Sequence, residues 1–328
     1  MKRLLLVLGS LPAGLSGAGG AGFFDDQPAP RYSYDRHGQV TRHEGERAVW
    51  TTKLTGNVGG VRPPHLLSDD ERVYVTHDDG VTALDAKTGK VVWHSKGPND
   101  CMLLSKDLLL ATECGQSGEI EKNGRFFSAR RVTDGKEAFR VRLPNHGDFD
   151  PLPIAEVAGL FLVQSRDWGQ RKPDAFLITR GGAVWKQFDH LILDGTDADG
   201  LRVFLGADRV IGVDDDKTVR WKIDLKDAWG LDDGRLLKLP GGDLLAYRYC
   251  PISDSGVSLW RFDPCKGKAR FHAFCESLGV DHSKYKHAAT VTVEKGCLKV
   301  VSRGSAGTFI EMLELNTGKQ ISRARGDD

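Results

Sequence analysis

A hexapeptide recurs along this chain and constrains the fold more than any other feature. The copies are Gly45–Trp50 (GERAVW), Thr88–Trp93 (TGKVVW), Asp134–Phe139 (DGKEAF), Arg180–Trp185 (RGGAVW), Asp216–Trp221 (DKTVRW), Lys266–Phe271 (KGKARF) and Thr317–Ser322 (TGKQIS). After the first copy, five of the six that follow end in an aromatic ring. Aligned on the last residue, they are spaced by 43, 46, 46, 36, 50 and 51 residues. That is the period of a β-propeller built from four-stranded blades. A chain of 328 residues exceeds the usual size of one simple core. Repeats remove the limit, because each blade packs only on its neighbours.

The strands follow from alternation and turn signals. In the clearest copy, Pro64–Ser68 reads as an inner strand, followed by Arg72–His77, Val81–Ala86 and the outer strand Lys90–His94. Tight turns between them make an antiparallel meander. Five later copies repeat the order, their inner strands reading as Met102–Lys106, Leu152–Glu156, His190–Asp194, Arg235–Leu239 and Ala289–Glu294. No segment has a helical period, so the expected fold is all-β. The first hexapeptide is preceded by RYSYDRHGQVTRHE, which has room for two strands. The reading is seven blades with one incomplete, or six blades plus added N-terminal strands. Ring closure predicts that Tyr32–Trp50 pairs with or packs on the last blade, since an open edge templates aggregation.

The N-terminus reads as a secretory leader. Lys2 and Arg3 precede the apolar Leu4–Leu8, and Ser16-Gly17-Ala18 offers small residues for cleavage. Residues 1–22 are assigned to signal peptide and Gly-rich leader, and 23–328 to one propeller domain. The apolar run is too short for a transmembrane span. No cysteine follows it, so a lipid-acceptor thiol is missing there. The expected location is exported, periplasmic or secreted, and the mature chain is expected to be monomeric. Lys plus Arg number 46 and Asp plus Glu 45, for a net charge of +1. That balance gives no support to a nucleic-acid partner, which favours a basic patch. An even six cysteines in an exported chain suit disulfides. Strand positions favour Cys250–Cys275 as a bridge, with Cys101–Cys114 second.

The segment VYVTHDDGVTALDAKTGKVVWHSKG at 74–97 resembles the repeat of the PQQ-like, or quinoprotein-like, β-propellers. The likeness is sharp in Asp85–Trp93 and partial elsewhere, as in Glu314–Lys319. It implies that the outer-strand aromatics dock neighbouring blades. The matching positions are Trp50, Trp93, Phe139, Trp185, Trp221 and Phe271, with Ser322 the exception. Physical chemistry agrees, because an indole buries a large apolar area and its N–H needs an acceptor.

The resemblance also raises enzyme chemistry. PQQ dehydrogenases hold their cofactor in the central funnel with calcium, an aspartate base and often adjacent cysteines. This chain has no Cys-Cys pair, is much shorter than the alcohol-oxidising members, and offers no stretch that matches their site. No cofactor is expected, PQQ included, and no catalytic residue is assigned. The chain is more similar to the BamB-like, non-catalytic branch, which binds proteins, although it lacks the lipid-acceptor cysteine. Two functions therefore stand. One is an exported binding or scaffold propeller that engages a protein or peptide. The other is a quinone-dependent oxidoreductase, or another small-ligand binder, using the funnel.

Connection lengths choose a face. Long ones, at 113–124, 165–174, 251–256 and 277–288, emerge at one end of the blades. Loops on a rigid scaffold are where binding resides. The candidate residues there are His146, Asp148, Asp150, Arg166, Trp168, Arg171, His282 and Tyr285. Acidic runs invite a metal reading, but DGTDADG at 194–200 lacks the later Glu of an EF-hand loop and reads as a turn. No metal site is assigned. There is no P-loop and no GxSxG elbow.

Overall fold

The computed structural model describes residues 31–35, 37–54, 66–77, 80–96, 102–112, 125–143, 154–164, 175–225, 234–250, 256–276, 289–304 and 307–326. All regular elements among them are strands. The first sheet has three: β1 (Arg31–Tyr34), β2 (Gln39–Glu44) and β3 (Arg47–Lys53). Six four-stranded sheets follow. The second is β4 (Leu66–Ser68), β5 (Arg72–His77), β6 (Gly80–Asp85) and β7 (Val91–Lys96). The third is β8 (Met102–Ser105), β9 (Leu108–Thr112), β10 (Arg125–Arg131) and β11 (Glu137–Leu143). The fourth is β12 (Ile154–Val157), β13 (Leu160–Gln164), β14 (Ala175–Ile178) and β15 (Val184–Phe188). The fifth is β16 (Ile192–Ala198), β17 (Leu201–Gly206), β18 (Arg209–Val213) and β19 (Val219–Asp224). The sixth is β20 (Gly234–Lys238), β21 (Leu244–Cys250), β22 (Gly256–Asp263) and β23 (Lys268–Glu276). The seventh is β24 (Ala289–Glu294), β25 (Cys297–Gly304), β26 (Gly307–Glu314) and β27 (Gln320–Gly326).

Every sheet is a meander in chain order, so the fold class read from the repeat holds: seven blades, the first short of one strand. The turns between first and second strands are as tight as the sequence implies. Ala158-Gly159, Asp199-Gly200 and Lys295-Gly296 have positive φ at both residues, the twist that hairpins of two residues require. The middle strands β5, β9, β13 and β17 are nearly all buried, which is why they read as apolar runs.

One inner strand departs from the expectation. The fifth sheet begins with Ile192–Ala198, not His190–Asp194, so most of DGTDADG is strand and only Asp199-Gly200 turns. The cause is local. Asp194 accepts the Gly195 amide at 2.8 Å and the Leu236 amide of β20 at 2.7 Å, which holds the acidic run extended.

The hexapeptide strands carry a feature that the repeat alone did not announce. Register slips by one residue just before the hexapeptide's last position, at Arg42/His43, Ala83/Leu84, Ala129/Arg130, Gly212/Val213, Arg261/Phe262 and Met312/Leu313. Thus Trp93 opposes Ala83 and Val91 opposes Leu84, leaving Val92 unopposed and exposed. Such a bulge bends the strand and re-aims the next side chain. Here the re-aimed side chain is the docking aromatic.

The chain divides into two compact units. One comprises Met1–Ala155, Ser165–Gln170 and Ile178–Val184, the other Glu156–Gln164, Arg171–Leu177 and Trp185–Asp328. In the first unit one core gathers Val40, Leu54, Val73, Val75, Leu84 and Ala86, and another Tyr74, Val81, Ala83, Trp93 and Leu109. In the second, Leu201, Val203, Leu244, Trp260 and Phe262 share one cluster, and Leu245, Leu259, Cys275, Leu298 and Val300 another.

Candidate binding face and the joints beneath it

All eight candidate binding residues, His146, Asp148, Asp150, Arg166, Trp168, Arg171, His282 and Tyr285, lie outside the described residues. So do Cys101 and Cys114. What the structure places are the strand ends that launch those connections and the joints that hold the sheets together.

The joints are specific. Trp50 Nε1 donates to the Ala86 carbonyl at 3.0 Å, Trp93 Nε1 to Val132 at 2.9 Å, and Trp221 Nε1 to Pro264 at 2.7 Å. Each acceptor stands two residues before the next hexapeptide, so one backbone position serves all three joints. The glycine of that hexapeptide lies flat against the ring. A Cβ added to Gly89 would come within 2.6 Å of Trp50, and one on Gly135 within 2.6 Å of Trp93. Gly267 faces Trp221 and Gly318 faces Phe271 in the same way. These four glycines have φ between 59 and 70°, so both backbone and space demand glycine.

At Phe271, whose ring lacks an N–H, an arginine stands in. Phe271 packs on Gly318 but cannot reach Leu315 O, the acceptor at the shared position. Arg261 Nη1 donates there at 2.6 Å, and to Asn316 Oδ1 at 2.9 Å, while its Nε holds Asp243 at 2.7 Å. Beside Phe139, Arg180 reaches Ser105 Oγ at 3.1 Å and Asp107 at 3.3 Å. Trp185 packs against the following sheet with the Arg202 guanidinium 4.8 Å above its ring. There, Lys217 adopts φ 72° where most copies have glycine, and its carbonyl accepts Lys186 Nζ.

Ser322 and its strand β27 are exposed, so the last copy has no docking ring. At the other end of the series, the Cβ position of Gly45 is open space.

Several polar groups are buried among these joints. Arg130, almost fully buried, donates to Ser95 Oγ at 3.0 Å and to the Lys96 carbonyl at 3.2 Å. Asp194 is buried enough that desolvation raises its carboxyl above the usual range, against the pull of the two amides it accepts. In the second sheet, Thr82 Oγ1 meets His77 Nε2 at 2.8 Å and His94 Nδ1 at 3.1 Å, with the two rings stacked at 5.0 Å. None of these groups had a signal in the sequence, because each depends on contacts across strands.

The cysteine expectation needs correction. Cys275 is a free, buried thiol. Its strand and that of Cys250 flank β22, where Val257 opposes Cys275 and Gly256 opposes Cys250. Two strand spacings of about 4.8 Å separate them, beyond the reach of a disulfide. Burial, with the Glu311 carboxylate nearby, pushes the Cys275 thiol well above its ordinary pKa. Cys265 is also free and exposed, its Sγ 3.0 Å from Asp199, and that hydrogen bond keeps its thiol protonated to higher pH. Among the described residues, no group of three His, Cys, Asp or Glu side chains could hold a metal ion. No helix among them is long and apolar enough to cross a membrane.

The family model described as "Outer membrane protein assembly factor BamB" matches residues 19–147. No curated protein matches the sequence. Among solved structures, BamB from Moraxella catarrhalis is 16% identical, with 91% of this chain and 86% of that one covered at a TM-score of 0.48. A eukaryotic initiation factor is 10% identical, with 91% and 74% covered at a TM-score of 0.57, a likeness of fold alone. A europium-containing methanol dehydrogenase is 13% identical, with 90% and 76% covered at 0.47. Residues 19–147 thus carry the PQQ-like, BamB-like repeat, and the sheets beyond them continue its four-stranded plan.

Proposed function

We propose that this chain is an exported, non-catalytic binding or scaffold propeller that engages a protein or peptide through the end of its sheets bearing the long connections. The observation that carries this reading is an asymmetry within the sheets. At one end, strands join through pairs such as Lys106-Asp107, Ala158-Gly159 and Lys295-Gly296. At the other, β9 and β10 are joined by 113–124, β13 and β14 by 165–174, and β23 and β24 by 277–288. Long connections mounted on a sheet scaffold suit recognition. Trp168 is the anchor this reading favours, because tryptophan is among the residue types that concentrate binding energy at interfaces. The family description, an outer-membrane assembly factor, supports both an exported location and a protein partner.

The test compares co-purification from an exporting bacterial host for the unaltered protein, Trp168→Ala, Arg166→Ala/Arg171→Ala and a short-turn control, Lys106→Ala. A partner lost from the first two variants and kept by the control is expected. Saturable PQQ binding with dye reduction by an alcohol or sugar would overturn the reading in favour of the oxidoreductase.

A further inference from the structure

We propose that His77 and His94, gathered on Thr82 in the second sheet, form a binding site for one borderline-soft divalent ion of the Cu2+ or Zn2+ type. Three adjacent strands supply the three residues. Thr82 on β6 directly opposes His94 on β7. His77, at the end of β5, opposes Gly80 and reaches diagonally to the same hydroxyl. Gly80 has no alternative, since a Cβ there would lie 2.0 Å from the Ser95 carbonyl oxygen. The result is two ring nitrogens, His77 Nε2 and His94 Nδ1, both within 3.1 Å of one oxygen.

A hydroxyl has a single proton, so Thr82 serves the two nitrogens unequally: it donates to one ring and accepts from the other. Both imidazoles can instead present lone pairs toward the same point. Ligand atoms bound to one ion at ~2.0–2.1 Å stand roughly 3 Å apart, which is the spacing of each nitrogen from the Thr82 oxygen. The ring centroids are 5.0 Å apart, a separation that two imidazoles on one ion also have room for. Two nitrogens and a hydroxyl favour Cu2+, Zn2+ or Ni2+ over Mg2+ or Ca2+, which prefer oxygen ligands. His77 is buried and fixes one side, while His94 is exposed and admits the ion and its waters. No third His, Cys or carboxylate joins them among the described residues, so the bound ion keeps open positions and exchanges readily.

Titration of the purified, metal-free protein with Cu2+ at pH 7.5, followed by calorimetry and electron paramagnetic resonance, tests the site. One equivalent with a two-nitrogen splitting pattern is expected. His94→Gln should weaken binding at least ~10-fold and leave one nitrogen, since an amide replaces an imidazole ligand. His272→Gln, which alters an exposed imidazole stacked on Trp260, should change neither. Should buried His77→Gln fail to fold, Thr82→Val still decides: it keeps both imidazoles and should retain the two-nitrogen signal. Equal affinity in His94→Gln, equal weakening in His272→Gln, or a signal with fewer than two nitrogens would overturn the assignment.

Discussion

Replacing Gly135 by alanine isolates what the joint between the second and third sheets requires. Two costs arise. The residue sits at φ 69°, where an L side chain is strained by about 1–2 kcal/mol. The new methyl would also come within 2.6 Å of the Trp93 ring, and overpacking of that kind costs roughly 1–3 kcal/mol. Together the substitution should cost ~2–5 kcal/mol. Gly45 provides the control. Its φ is 61°, but nothing lies within 4 Å of its Cβ position, so Gly45→Ala should show only the ~1–2 kcal/mol of backbone strain. A double-mutant cycle sharpens the test. Trp93→Ala alone should cost about 3–5 kcal/mol as a buried aromatic. In that background Gly135→Ala should fall to the Gly45 value, because the ring it struck is gone. All three residues belong to one compact unit, and urea unfolding measures the cost of each substitution. Equal costs for Gly45→Ala and Gly135→Ala, or a cost for Gly135→Ala that is unchanged by Trp93→Ala, would refute the account of the joint.

Four further outcomes are expected. Trp93→Phe keeps most of the packing but strips the N–H from the Val132 carbonyl, so urea unfolding should show a loss of about 1–3 kcal/mol. Arg261→Leu leaves Asp243 buried with only the more distant Arg270, and should destabilise by roughly 3–5 kcal/mol, measured the same way. In thiol titration with a colorimetric disulfide, Cys265 should react in the native protein and Cys275 only after unfolding; rapid native labelling of a Cys265→Ala/Cys275 protein relative to one lacking both would contradict this. Asp194 has a folded pKa above its unfolded value, so its protonation stabilises the fold at low pH and that contribution fades as pH rises through the folded pKa. Asp194→Asn should therefore flatten the stability profile between the ordinary carboxyl range and the raised value.

The repeat made the fold legible because its period, its glycines and its rings are all local in sequence. Gly89 and Gly135 mark turns wherever they occur, and Trp93 advertises burial by its size. The three-stranded first sheet was readable from the shortness of the segment before Trp50. The pairing of Cys250 with Cys275 failed because both cysteines leave the sheet at the same end, while a whole strand, β22, lies between them. Lateral distance across a meander is not encoded in end position. Asp194 looked like a turn residue because Asp is common in turns, and only the Leu236 amide of another sheet explains its extended backbone. Arg261 and the His77–Thr82–His94 group carry no sequence signature at all, since their partners lie on other strands. Trp168 and the other candidate residues fall in segments between the repeated strands, which periodicity does not describe.

The acceptor carbonyls of Ala86, Val132, Pro264 and Leu315 bear on how such chains diverge. Three receive an indole N–H and the fourth a guanidinium from a different strand of the preceding sheet. What the architecture demands at each joint is a donor at a point in space, together with a flat apolar surface against a turn. A backbone oxygen has no side-chain identity to compare. A copy can therefore exchange its tryptophan for phenylalanine plus a remote arginine and keep the joint while losing the letter that marks it. Profiles trained on the letter will fade along such a chain well before the sheets do, so counting blades by motif underestimates how many a protein of this kind has.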